Sequence, residues 1–261
     1  MSVLANWIKE FGLPSQGVVH VGAHQAQEAS DYSENFLEPV FWIEAIPSLA
    51  LRAKEQLQDF PLQSVVEAAL WSRSGMKMNF NVSSNDGGSS SFFDFHLHKA
   101  SYPEVATTSV IELETKTLSE VLGNRMVENC SFGYLVLDVQ GAELEVLQGG
   151  SEVLNHFIAI VAEVSLRELY KGAPLFADLT EWLNSNRFQL IACNVSSETG
   201  WGDALFVRVD QVASFGLSIL KFNEISHWKK LTFPTFVRII LIKLGLNPKY
   251  FSKSFLFGRK Q

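Results

Sequence analysis

Gly17-Val-Val-His-Val-Gly-Ala-His-Gln-Ala-Gln-Glu28 is the stretch whose reading decides the fold. Gly17 to Val21 reads as a buried strand, and Gly22 as its tight exit. The polar run from His24 predicts a helix with Ala26, Ala29, Tyr32 and Phe36 on one face. A strand, a glycine turn and a helix start form the usual cradle for the first half of a nucleotide-like ligand. Glycine at that turn lets the backbone approach the ligand closely and adopt a positive φ. Such a cradle calls for an acid at the end of the next strand, about 20 residues on, to hold ribose hydroxyls. The next apolar run, Val40-Phe-Trp-Ile43, ends in Glu44. A lone glycine after a strand also fits an ordinary βα turn, so the rest of the chain must decide.

Working outward, apolar runs and helical patterns alternate. Val3, Leu4, Trp7, Ile8 and Phe11 have helical spacing, and Gly12 and Pro14 end that helix. Pro47 starts a helix through Leu49, Ala53 and Leu57, in the first turn where proline is tolerated. Ser64 to Glu67 begins a third strand, and Met76 to Val82 alternates like another. Residues 83–104 are irregular, with a serine-rich run and then Phe92-Phe-Asp-Phe-His-Leu-His98. A loop of this length in a compact domain is commonly functional. Val105 to Glu114 returns as strand, and Thr117 caps a short helix to Leu122. Later strands are Tyr134 to Leu137, Ile158 to Ala162, Phe188 to Ala192 and Ala204 to Val209. Gly141 to Leu147 and Leu175 to Leu183 are helical. This alternation predicts an α/β fold built on a doubly wound, mostly parallel sheet. Four runs stop at an acid: Glu44, Glu67, Asp138 and Glu163. Ligands of such sheets sit outside the carboxyl ends of the strands, so four acids on one rim point to a site.

The 261 residues suffice for one large domain with an appendage, and 47% hydrophobic residues can bury a real core. The two cysteines, Cys130 and Cys193, lack metal-like spacing, which argues against a disulfide framework or zinc site and fits a reducing cytoplasm. No secretory signal and no apolar run of about 18 residues is visible. The net charge of −7 is uneven. Residues 221–261 hold nine Lys or Arg against one acid, Glu224, which leaves −15 on residues 1–220. An acidic body argues against a nucleic-acid partner.

Taken together, His20-Val-Gly-Ala-His24, Phe41-Trp-Ile-Glu-Ala45, Ser89-Ser-Ser91 and Leu137-Asp-Val-Gln-Gly-Ala-Glu-Leu144 resemble the FkbM family of S-adenosylmethionine-dependent methyltransferases. The block from Glu163 to Tyr170 and Gly200-Trp-Gly-Asp-Ala204 extend the resemblance over about residues 17–208. Each block is only moderately specific; their order and spacing are strong. The family more usually has Asp at His20, Gly at Ala26 and Glu at Gln140. A subset reads as this chain does at the first and third positions, so His20 and Gln140 mark a subgroup. Ala26, placed one turn into the helix, is expected to be tolerated.

The resemblance implies a Rossmann-like fold of the class I methyltransferase type, with S-adenosylmethionine as cofactor. It implies that the backbone around Gly22, Ala23 and His24 lines the methionine portion, that Glu44, with Ala45, holds the ribose diol, and that His20 also belongs to the cofactor site. Glu67 and Ala68 fall at the adenine. Ser90 and Ser91 fold over the cofactor, and Asp138 and Gln140 face the methyl group or the acceptor. A hydroxyl acceptor needs a general base, for which Asp138, His24 and Glu163 are the candidates in that order. No residue spacing demands a metal. The family implies O-methylation of a sugar hydroxyl in a surface polysaccharide or glycolipid. A nicotinamide-dependent oxidoreductase and a non-catalytic cofactor-binding module are the rival readings; the first prefers three glycines in the cradle, where this chain has Gly22 alone.

Residues 1–214 are thus expected to form the methyltransferase domain, and residues 215–261 a basic, aromatic-rich helical tail. The tail suits two roles: peripheral contact with an anionic inner-membrane surface, or packing on the body or on a second copy in a homo-oligomer.

Overall fold

In the computed structural model, which describes residues 1–123, 132–196 and 198–217, Gly17–Val21 forms a central strand in which every residue is buried. In chain order the strands are β1 Gly17–Val21, β2 Val40–Glu44, β3 Gln63–Glu67, β4 Ala69–Leu70, β5 Lys77–Ser83, β6 Thr107–Lys116, β7 Phe132–Leu137, β8 Ala159–Ser165, β9 Phe188–Cys193 and β10 Trp201–Arg208. The helices are α1 Val3–Phe11, α2 Ala29–Glu34, α3 Pro47–Gln56, α4 His98–Ser101, α5 Leu118–Leu122, α6 Glu143–Gly149, α7 Phe176–Ser185 and α8 Val209–Ser214.

Seven strands form one sheet in the order β3-β2-β1-β7-β8-β10-β9. The five from β3 to β8 are mutually parallel, and β10 runs antiparallel between β8 and β9. This is the Rossmann-like, doubly wound arrangement of class I methyltransferases. The winding reverses between β1 and β7, which opens a crevice at the carboxyl ends of those two strands.

The strands read as continuous apolar runs because the sheet is covered on both faces. Val19, Val21, Ile43, Leu135, Leu137 and Ile160 join one core cluster. Their neighbours Val18, Val40, Trp42, Tyr134, Val136 and Val161 join the other. Phe215 and Leu217, just past α8, also pack on that second cluster, beyond the expected boundary at residue 214. The basic tail from residue 218 lies outside the described residues. Among those residues, no helix is long and apolar enough to cross a membrane.

A smaller sheet, β4-β6-β5, stands beside the large one. Its Phe80 packs with Ile46 and Leu49 at the start of α3, and Phe92 and Ile111 join them. The serine-rich segment after β5 is thereby held over the carboxyl end of the main sheet.

The structure corrects the helix expected from His24: α2 starts at Ala29. His24 and Ala26 have φ of 48° and 56°, the left-handed region, so neither can sit inside a right-handed helix. The segment is a turn, in which the Ala26 amide donates to the Ala23 carbonyl at 2.7 Å. Ala26 is therefore not one turn into a helix. Its backbone costs about 1–2 kcal/mol relative to glycine, which burial of the methyl in the second core cluster offsets in part. Phe36 also leaves the expected face: it follows the helix with φ of 59° and is 79% exposed.

Candidate functional site

Strand register draws the acids into line. Val66, Ile43, Val21, Leu137 and Ala162 are successive partners across the parallel strands. One residue further on, Glu67, Glu44, Gly22, Asp138 and Glu163 follow along the same edge, with Asp203 of β10 opposite Glu163. The four acids expected on one rim do lie on one rim.

At its middle the backbones of β1 and β7 almost touch. Gly22 has φ of 87°, and its amide donates to the Ile43 carbonyl at 2.9 Å. A Cβ at this position would stand 1.8 Å from the Asp138 carbonyl oxygen. Only glycine fits both the angle and the space.

Above this point lies a cavity of about 390 Å³, a size usual for small-molecule sites. Its polar lining includes His20, His24, Glu28, Asp138 and Gln140, and its apolar lining Ile46, Leu49, Phe80 and Phe92, which pack on one another. Glu44 lies in its wall, 6% exposed. One Glu44 oxygen accepts from the His24 amide and the other from the Ile46 amide, both at 2.8 Å. Burial raises its carboxyl, and these amides draw it back down.

The histidines are fully engaged. His20 shares a hydrogen bond with Tyr32 at 3.0 Å and stacks on Trp42 at 4.6 Å. Burial lowers it to about 4, against a smaller upward pull from Asp138, so it is neutral at pH 7. His24 Nδ1 faces the Gln27 amide at 2.6 Å and Nε2 the Asp86 carbonyl at 2.8 Å. The Asp86 carboxylate takes Gln25 at 2.6 Å and Arg52 at 2.9 Å, which ties the serine-rich loop down across the cavity.

Gln140, at φ 54°, is the junction between two carboxylates. Its Nε2 donates to Asp138 at 2.7 Å and to Glu163 at 2.8 Å. Its Oε1 accepts from the Tyr170 hydroxyl at 2.6 Å, which fixes the amide the right way round. Asp138 opens into the cleft, yet the surrounding walls push its carboxyl upward, against the Gln140 hydrogen bond. Glu163 is raised well above the carboxylate range, by burial first and then by Asp138, Glu143 and Asp203. Asp203 is pushed up to about 6 by burial and by Asp138. Among the described residues, no group of three His, Cys, Asp or Glu is arranged to hold a metal ion.

Glu143 opens α6 and closes the turn before it. One carboxylate oxygen accepts from the Val139 and Gly141 amides at 3.1 and 3.2 Å and closes the turn that carries Gln140. Burial pushes Glu143 up to about 7. The fold binds this proton more tightly than the unfolded chain does. Its contribution is thus complete below the unfolded value near 4.5 and is lost as pH rises through about 7. Glu143→Gln keeps the acceptor and removes the charge. Urea unfolding is expected to find the variant about 1–3 kcal/mol more stable than the parent at pH 8 and no more stable at pH 4; equal stability at both would contradict this.

Of the expected cofactor residues, His20, Gly22, His24, Glu44, Ala45, Ala68, Ser90, Asp138 and Gln140 line the cavity. Three do not. Glu67 ends β3 exposed and outside the wall, because β3 is the sheet's edge strand and the cavity is centred on β1 and β7. Ala23 is buried behind the turn, its amide on the Ile43 carbonyl. Ser91 points away and donates to the Gln140 carbonyl at 2.7 Å. Glu163 reaches Asp138 through Gln140 and lines a smaller neighbouring cavity with Tyr170, Phe176 and Trp201. Glu28, the apolar wall and Tyr170 were missed. The aromatic run at Phe92 was the available sign for the wall; Glu28 looked like an ordinary residue of a polar helix.

The Methyltransferase FkbM domain family model matches residues 20–190. The chain is 28% identical over 188 residues to the 2-O-methyltransferase NoeI of Sinorhizobium fredii (strain NBRC 101917 / NGR234), a match covering 69% of this chain and 74% of that protein. Two solved structures are similar at low identity. Magnesium protoporphyrin IX methyltransferase from Synechocystis PCC 6803, solved with bound SAM, has a TM-score of 0.46 and 11% identity, covering 78% of this chain and 76% of that one. An uncharacterized protein from Listeria monocytogenes serotype 4b has a TM-score of 0.48 and 10% identity, covering 98% and 79%. The family match takes in the end of β1, the glycine turn, Glu44, the serine-rich loop, Asp138 and Glu163 together, and on that match this chain belongs to the FkbM methyltransferase family.

Proposed function

We propose that this methyltransferase moves a methyl group from S-adenosylmethionine to a hydroxyl of a sugar in a surface polysaccharide or glycolipid, with Asp138 as general base. The observation that carries the cofactor reading is Glu44. It is a buried carboxylate pinned by two backbone amides in the wall of the Gly22 cavity. A carboxylate so fixed suits two adjacent hydroxyls, since its remaining lone pairs accept charge-assisted hydrogen bonds. The cavity fits the rest of the molecule. Ile46, Leu49, Phe80 and Phe92 offer an apolar slot for a flat base, and Gly22, His24 and Glu28 offer polar groups to an amino acid.

When bound, S-adenosylmethionine supplies an electrophilic methyl on a sulfonium sulfur. The protein's own task is to hold the acceptor oxygen in line and remove its proton. Glu163, buried and crowded by three other acids, has the more strongly raised carboxyl of the two. Asp138 is then the member of the pair that ionises: Oδ1 is held by Gln140, and Oδ2 takes the hydroxyl proton. A raised carboxyl is a stronger base than an ordinary one. The name of the Sinorhizobium relative supports oxygen as the acceptor atom; the sugar class rests on the family resemblance. The division into a catalytic body and a basic tail, drawn on the charge reversal after residue 220, belongs to the same proposal.

Glu44→Ala is expected to weaken S-adenosylmethionine binding by about 2–4 kcal/mol, the worth of two charge-assisted hydrogen bonds. Titration calorimetry measures it, on a variant whose thermal unfolding stays cooperative. Unchanged affinity in such a variant sinks the cofactor assignment.

A further inference from the structure

The cavity wall contains three carboxylates, Glu28, Glu44 and Asp138, and no Lys or Arg. Two of them have partners. Glu44 is held by the His24 and Ile46 amides, and Asp138 by Gln140. Glu28, the residue just before α2, is half-buried and makes no side-chain capping bond. Among the described residues, its carboxylate forms no ion pair and no hydrogen bond with another residue. Such a group is costly unless something brings it a positive charge.

We infer that Glu28 receives the α-ammonium group of the cofactor's methionine portion, an assignment that rests on this cavity being the S-adenosylmethionine site. Three points favour it. Glu28 ends the turn that follows Gly22 and lines the cavity together with it. His20, in the same wall, is lowered to about 4 by burial and so is neutral and brings no charge of its own. Glu28 lines the same cavity as His20 and Asp138, and its backbone carbonyl accepts at 2.9 Å from the amide of Tyr32, the partner of His20. Of the two cations the cofactor carries, the ammonium has three N–H donors for a carboxylate, whereas the sulfonium has none.

The test uses the full chain and two ligands in titration calorimetry. One is S-adenosylhomocysteine. The other is its analogue that keeps the carboxylate and lacks only the α-amino group. The wild-type protein is expected to prefer S-adenosylhomocysteine by about 10- to 100-fold, the worth of one charge-assisted contact. Glu28→Gln should erase that preference and leave binding of the deamino analogue within about twofold. Retained binding of the analogue shows that the variant is folded; Glu28→Ala reads the same ratio should the first variant fail to fold. An unchanged preference in the variants overturns the inference, as does an equal loss for both ligands or a wild-type protein with no preference. A wild-type protein that binds neither ligand overturns the cofactor reading itself, and this assignment with it.

Discussion

Asp138→Asn is expected to cut turnover by about 10²–10⁴ while cofactor affinity stays nearly constant. The substitution keeps shape. The Asn oxygen can still accept from Gln140 Nε2, so the junction to Glu163 survives and the cavity keeps its volume. What is lost is a group that can take a proton from the acceptor hydroxyl. Steady-state rates on an accepted sugar, read beside calorimetry with S-adenosylhomocysteine, separate the two effects. Near-normal turnover would move the role to Glu163. His24 is the weaker alternative, since Gln27 and Asp86 occupy both its ring nitrogens; a base needs a free lone pair.

Gly22→Ala should be the most damaging single substitution for the fold around the site. The added methyl would meet the Asp138 carbonyl oxygen at 1.8 Å, and the residue must also hold φ at 87°. The obstacle is backbone and cannot turn aside as a side chain can. Asp138 is fixed in turn, its amide donating to the Val21 carbonyl at 3.0 Å. The left-handed conformation costs about 1–2 kcal/mol and the overlap adds about 1–3 more. A total loss of about 2–5 kcal/mol is expected in urea unfolding, with cofactor binding abolished because β1 and β7 are pushed apart at the cavity floor. A variant of parental stability would show that the two strand ends can separate freely.

The sheet was legible because its strands are buried on both faces. Such strands appear as unbroken runs rich in Val, Ile, Leu and Phe, and an acid ends four of them where the chain reaches the rim. Glu44 could be named from spacing alone, since strand, turn, helix and strand set the interval. Features that depend on φ or on long-range register were not legible. His24 and Ala26 carry side chains common in helices, yet both adopt the left-handed conformation. Glu67 has the same strand-end position as Glu44 but ends the sheet's edge strand, away from the cavity. Gln140 meets Glu163 across 23 positions and Tyr170 across 30, through the pairing of β7 with β8 and the loop that follows. No local pattern encodes those meetings.

The two sides of the cavity are fastened very differently. Its floor is the junction of β1 and β7, sealed by sheet hydrogen bonds and both core clusters. Its roof, the serine-rich loop, is held by Ser89 and Ser91 on His98, Tyr170 and Gln140 at one end, and at the other by Asp86 on Gln25, His24 and Arg52, where the Arg52 ion pair is solvent-exposed on both partners. Exposed polar ties of this kind are worth about 1 kcal/mol or less each, whereas parting the floor means unfolding the domain. Opening at the Asp86 end therefore costs little and leaves the rest of the molecule intact. Residence time would be governed by a few surface contacts that salt and sequence drift can retune, while the melting temperature is set elsewhere.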